Sequence, residues 1–201
     1  MKKLNTLLLT MTILSLTACG PRTEPAEEVH EPEIAADLFT FQHNSYTAFF
    51  NNLRTLCDQS FEGKQIYMQE GRESWEDKRM VMHVTVCEDY VIHIPFHLDE
   101  DRSRTWMFFN ENGTLRFRHD HRYEDGTSEE ITMYGGYADP ERGTAVKQIF
   151  PADEYTIELI PISVDSEWVV EFKDNMSIFS YQLHHEGELL FEAHFDLTQP
   201  L

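Results

Sequence analysis

Two turn dipeptides, Asn112-Gly113 and Asp125-Gly126, constrain this chain more than any other feature. Their residues tolerate positive φ, so each favours a two-residue hairpin between antiparallel strands. If the first is the turn, Phe108 lies across from Phe117, Trp106 from His119 and Arg104 from His121. The other face pairs Phe109 with Arg116, Met107 with Arg118 and Thr105 with Asp120. The more aromatic face is expected inside and the charged one outside. By the same geometry the second turn sets Phe117 against Tyr134, His119 against Thr132 and His121 against Glu130, with an Arg122–Glu129 ion pair outside.

The inner face then forms three layers: Phe108-Phe117-Tyr134, Trp106-His119-Thr132 and Arg104-His121-Glu130. An interior running from aromatic to charged suits a small amphipathic anion, its acidic group at Arg104 and its tail on the rings. The candidate binding residues are therefore Arg104, Trp106, His119, His121, Glu130, Thr132 and Tyr134. The simpler reading, which is preferred, is that Arg104, His121 and Glu130 satisfy one another, because polar groups inside a protein must be paired.

Alternation dominates the rest of the domain. Strands are expected at 65–68, 80–86, 91–98 (with Pro95 marking an edge or bulge), 104–110, 114–122, 129–134, 144–150, 167–173, 176–184 and 188–196. The segment 151–160 reads equally as helix or strand. Tyr46, Phe49, Phe50, Leu53 and Leu56 fall at helical spacing, predicting an amphipathic helix over 45–57 capped by Asn44 or Ser45. Ten short strands and one early helix predict a mainly β fold. An antiparallel meander closed as a lipocalin-like barrel is preferred to a sandwich.

Ahead of this domain, Lys2-Lys3 and an apolar run from Leu4 to Leu16 have the proportions of a signal peptide. The run ends in Leu16-Thr17-Ala18-Cys19, which resembles the lipobox of bacterial lipoproteins. That resemblance implies cleavage before Cys19, lipidation of its sulfur, and, with Gly20 next, an outer-membrane address. Residues 1–18 are thus expected to be the leader and 19–36 (rich in Pro and Glu) a tether. Residues 37–201 are expected to be a single domain. Several acyl chains on Cys19 would anchor the protein stably where one would not.

The chain carries 16 basic and 36 acidic side chains, a net charge of −20. Losing Lys2 and Lys3 with the leader leaves 14 against 36, or −22. This excess argues against nucleic acid as a partner and against docking on anionic lipid. Cys57 and Cys87 are expected to form a disulfide in an oxidising compartment.

Two alternatives stand beside this reading, the first a periplasmic metal-binding protein or metal-dependent enzyme. His119 and His121 share a strand face, and with His93 or His97 could hold a metal. Arg104 opposite His121 opposes that, since a guanidinium beside a dication is repulsive. No GxSxG, HExxH, P-loop or GxGxxG motif occurs, so an enzyme is not expected and no cofactor is assigned. An envelope factor that binds another protein is the remaining alternative.

The segments Pro95-Phe96-His97, Asp101-Arg102-Ser103-Arg104-Thr105-Trp106 and His119-Asp120-His121-Arg122 also resemble an uncharacterised family of secreted proteins from Gram-negative bacteria. Asp125-Gly126, Tyr134-Gly135-Gly136 and Phe150-Pro151-Ala152-Asp153 extend the likeness over most of the domain. It bears on location in the envelope, and no particular activity or cofactor comes with it.

Overall fold

A computed structural model describes residues 40–201; the expected leader, Cys19 and the expected tether lie outside the described residues. Helix α1 (Asn44–Arg54) comes first, followed by β1 (Ser60–Met68), β2 (Met80–His83), β3 (Val86–Cys87), β4 (Val91–Leu98), β5 (Asp101–Glu111) and β6 (Thr114–His121). Then come β7 (Tyr134–Tyr137), β8 (Lys147–Pro151), the short helix α2 (Glu154–Leu159), a 3-10 turn (Pro161–Ser163), β9 (Ser166–Lys173), β10 (Ile178–His185) and β11 (Glu188–Pro200).

All pairings are antiparallel. The strands form one sheet in the order β7-β6-β5-β4-β2-β1-β11-β10-β9-β8, with β3 beside β4. The first and last strands are hydrogen-bonded neighbours, so the meander curls into a nearly closed barrel. Its one seam lies between β7 and β8. There the Asp139 N–H donates to Ile149 O (2.8 Å) and the Asp153 N–H to Gly135 O (3.1 Å). Glycine is required at this seam, because a Cβ on Gly136 would sit 1.7 Å from Pro151 O.

One end of the barrel is filled. Phe49 of α1 packs against Phe108 and Phe172, and Phe117 against Phe108 and Phe150. Tyr46 Oη donates to Ala138 O and Asn52 Nδ2 to Ala145 O, tying the helix to the β7–β8 connection. The expected apolar stripe of α1 is fully buried. Its N-cap is His43, with no side-chain bond, rather than Asn44 or Ser45. Just past the helix, Cys57 is disulfide-bonded to Cys87 on β3.

The expected strand over 80–86 is broken, because Val84 turns aside to pair through its backbone with Asp58 and Gln59. Pro95 explains why this break is tolerated. It pairs with Thr105 on one side and faces the gap between β2 and β3 on the other, where no donor is needed. The ambiguous 151–160 segment is strand end and then helix, with the Asp153 side chain accepting from Thr156 N as an N-cap.

Candidate functional site

The β5–β6 hairpin has the expected register throughout, Phe108 opposite Phe117, Trp106 opposite His119 and Arg104 opposite His121. Asn112 and Gly113 both adopt positive φ (52° and 83°), as such a turn demands. The second hairpin departs from expectation. Asp125 uses its side chain to hold Thr127, only Gly126 has positive φ, and the loop closes between Tyr123 and Thr127. That lengthened turn pairs Arg122 with Ser128. A further irregularity, with Met133 at φ 58°, sets Tyr134 opposite His119 and Gly136 opposite Phe117.

The slip changes which side chains reach the interior. Glu130 is exposed, and Glu129 takes its place, Oε2 lying 3.8 Å from His121 Nδ1. Thr132 turns to the strand beside it, accepting from His121 N and donating to Asp120 Oδ1. Arg122 pairs with Asp120 (2.7 Å) instead of Glu129. The second inner layer becomes Trp106-His119-Tyr134.

Above these layers lies a cavity of about 360 Å³. Five of the seven expected residues line it: Arg104, Trp106, His119, His121 and Tyr134. Glu130 and Thr132 do not. Trp168, Tyr181, Leu183, Phe191 and Ala193 also line it, as do Ser166 and its hydrogen-bond partner His185, while Arg72, Trp75, Ile160 and Ile162 form the rim. Alternation in 168–172 and 179–183 signals the inward phase of Trp168, Tyr181 and Leu183. Nothing local marks Arg72 and Trp75, which sit in a polar loop and arrive only when the barrel closes.

The walls are ordered by ring packing and hydrogen bonds. Trp106 stacks between Phe96 (4.9 Å, 10°) and Tyr181 (4.6 Å, 11°). His119 stacks on Tyr134 (4.6 Å, 14°). Its Nδ1 lies 3.3 Å from Tyr134 O, which can only accept, so Nδ1 carries the proton and Nε2 accepts from Tyr181 Oη at 2.8 Å. Burial drives the His119 imidazole down to about 3, so it is neutral. Burial likewise pushes Tyr134 up to about 12 and Tyr181 well above its ordinary value. Tyr134 Oη therefore donates to His121 Nε2 (3.0 Å). His121 is held below its usual range by burial and by Arg104.

The His119, His121, Tyr134 and Tyr181 side chains are thus hydrogen-bonded among themselves, and Arg104 brings a positive charge at the rim. Arg104 Nη1 bonds to Asp101 Oδ2, and its guanidinium lies 5.8 Å from the centre of the Trp75 ring. Burial would raise Asp101, but Ser103 and Arg104 hold it down to about 2.

The metal set proposed from sequence does not converge. Ile92, Ile94, Phe96 and Leu98 point into the core, so the alternating His93 and His97 lie on the opposite face from His119. His97 instead meets His83, Nδ1 to Nε2 at 3.0 Å. Among the described residues, no three His, Cys, Asp or Glu side chains are placed to hold a metal ion.

The face assigned to solvent also holds a surprise. Arg118 is 1% exposed, covered by α2, and its guanidinium grips both carboxylate oxygens of Asp153 and the Thr156 hydroxyl. It pins the helix beside the seam.

The chain matches no protein-family model, no curated protein and no solved structure.

Proposed function

We propose that the protein is a lipid-anchored binding protein of the bacterial envelope whose barrel takes up a small amphipathic anion. The carrying observation is the cavity itself, about 360 Å³, with aromatic walls and a guanidinium at its rim. At roughly 30 Å³ per water-sized group, it has room for about a dozen non-hydrogen atoms. That is the size of a small acid or medium-length chain and far short of a phospholipid. Such a volume, largely apolar with a few polar groups, is the usual form of a small-molecule site.

In this reading Cys19 carries the lipid, residues 20–36 tether the barrel to the periplasmic face of the outer membrane, and the Cys57–Cys87 bridge suits that oxidising compartment. The acidic surface supports a soluble barrel held near, not on, the bilayer. Native mass spectrometry of protein taken gently from its own envelope tests both parts. A small adduct released on denaturation, with the mass of acyl chains on Cys19, is the expected result. A bare polypeptide mass under the gentlest conditions speaks against ligand and anchor alike. Cys19→Ala is expected to move the protein from the membrane fraction to the soluble one.

A further inference from the structure

Arg104 lines the cavity, whereas its partner Asp101 does not. Asp101 engages one guanidinium nitrogen, Nη1, and among the described residues no other protein group accepts from the remaining donors of that fork. The positive charge is felt inside, for it acts on His121, Tyr134 and Tyr181. Arg72, also on the rim, has no ion-pair or hydrogen-bond partner for its side chain among the described residues. In a chain with 36 acidic and 16 basic side chains, two incompletely neutralised guanidinium groups at one opening call for an anion.

We infer that the cavity is a carboxylate receptor: Arg104, assisted by Arg72, holds the carboxylate of an apolar acid, and Asp101 weakens that hold so the ligand can leave. The inference rests on the cavity being a binding site. A planar carboxylate matches the open side of a guanidinium fork, and Asp101 takes only one nitrogen of it. The acid's tail extends past His121 and Tyr134 onto Trp106, Leu183 and Phe191. A second carboxylate beside Arg104 repels the first, so Asp101 lowers affinity without blocking the site.

Intrinsic fluorescence reads the binding directly, because all three tryptophans, Trp75, Trp106 and Trp168, line the cavity. The probes are decanoate, with twelve non-hydrogen atoms, and decanol, which lacks the charge. Full-length protein is expected to bind decanoate at least about tenfold tighter than decanol, as a charge-assisted bond requires. Arg104→Gln should remove that preference. Asp101→Asn should enlarge it several-fold, because asparagine still accepts the Ser103 N–H that holds the local turn. Circular dichroism and thermal midpoints confirm that the variants fold. Equal binding of acid and alcohol, or a preference unchanged in Arg104→Gln, overturns the carboxylate inference while leaving the cavity reading standing. Failure of both probes, at every chain length from six to fourteen carbons, overturns the cavity reading as well.

Discussion

The Arg118 guanidinium, buried beneath α2, is held by both carboxylate oxygens of Asp153. Alternation along β6 sets Arg118 opposite His119 in phase, which is correct for the sheet. It says nothing about α2, whose six residues lie over that face and bury the guanidinium. A buried ion pair is weak evidence of net stability, but breaking one is costly. Asp153→Ala should therefore cost about 3–5 kcal/mol in urea denaturation. The double change Arg118→Met with Asp153→Leu should cost less, since the buried guanidinium goes with its partner, while both variants lose the helix cap and the Arg116 contact. Equal losses in the two variants would show that the site acts through packing alone.

His119 makes a pH prediction at the same scale. Its native form resists protonation down to about 3, while an unfolded histidine takes its proton near 6.5. Between those values the unfolded state binds the extra proton, so stability is lost as pH falls, by about 1.4 kcal/mol per unit at most. Burial lowers His83, His93, His97, His121 and His184 too, adding the same sign. Asp101 and Glu192, both held near 2, contribute stability that is present above the ordinary carboxylate range and is lost progressively as pH falls from that range to about 2. Stability should therefore begin to fall below about pH 6.5, before the carboxylates titrate. Denaturation midpoints for His119→Phe should show a shallower slope between pH 6 and 4 than the native protein.

Among the elements, the two central hairpins differ in how much their turns specify. Asn112-Gly113 places both residues at positive φ, so turn and register follow from the dipeptide. At Asp125-Gly126 the aspartate side chain competes by bonding Thr127, and the loop gains a residue. The error then reaches Glu130 and Thr132 because a one-residue slip reverses every side chain. The disulfide was readable from cysteine count, and it closes a loop spanning 30 positions. The Cys57→Ser, Cys87→Ser double variant should lose about 3–4 kcal/mol, seen as a lower urea midpoint. At the seam, Gly136→Ala cannot be absorbed by a rotamer change, because the obstacle is the Pro151 carbonyl. It should part β7 from β8, and hydrogen exchange at the Asp139 and Asp153 amides should quicken while the β10 amides stay protected.

For the whole molecule, the barrel was legible because strand alternation and tight turns leave few ways to hide one face. The cavity was legible only along β5 and β6, where two strands carry their own register. Its far wall, Trp168, Tyr181 and Phe191, lies on consecutive hairpins, but that wall meets Trp106 and His119, and the rim residues Arg72 and Trp75 reach it, only once the barrel closes, which no local pattern specifies. The aromatic-to-polar gradient holds in the observed register, since Tyr134 rather than Thr132 lies opposite His119 and its hydroxyl reaches His121.

The pairing of β1 with β11 carries a consequence for how the chain matures. Phe61 finds its partner in Pro200, and the Leu201 N–H reaches back to Ser60 O. Closure therefore joins residues almost a full domain apart in sequence, a contact that forms late and slowly. Until β11 emerges, the free edge of β1, with Ile66 and Tyr67 on its outward surface, is open to pairing with another chain. The last strand acts as the latch of the folding reaction, and nascent chains halted short of it should need a chaperone to stay soluble.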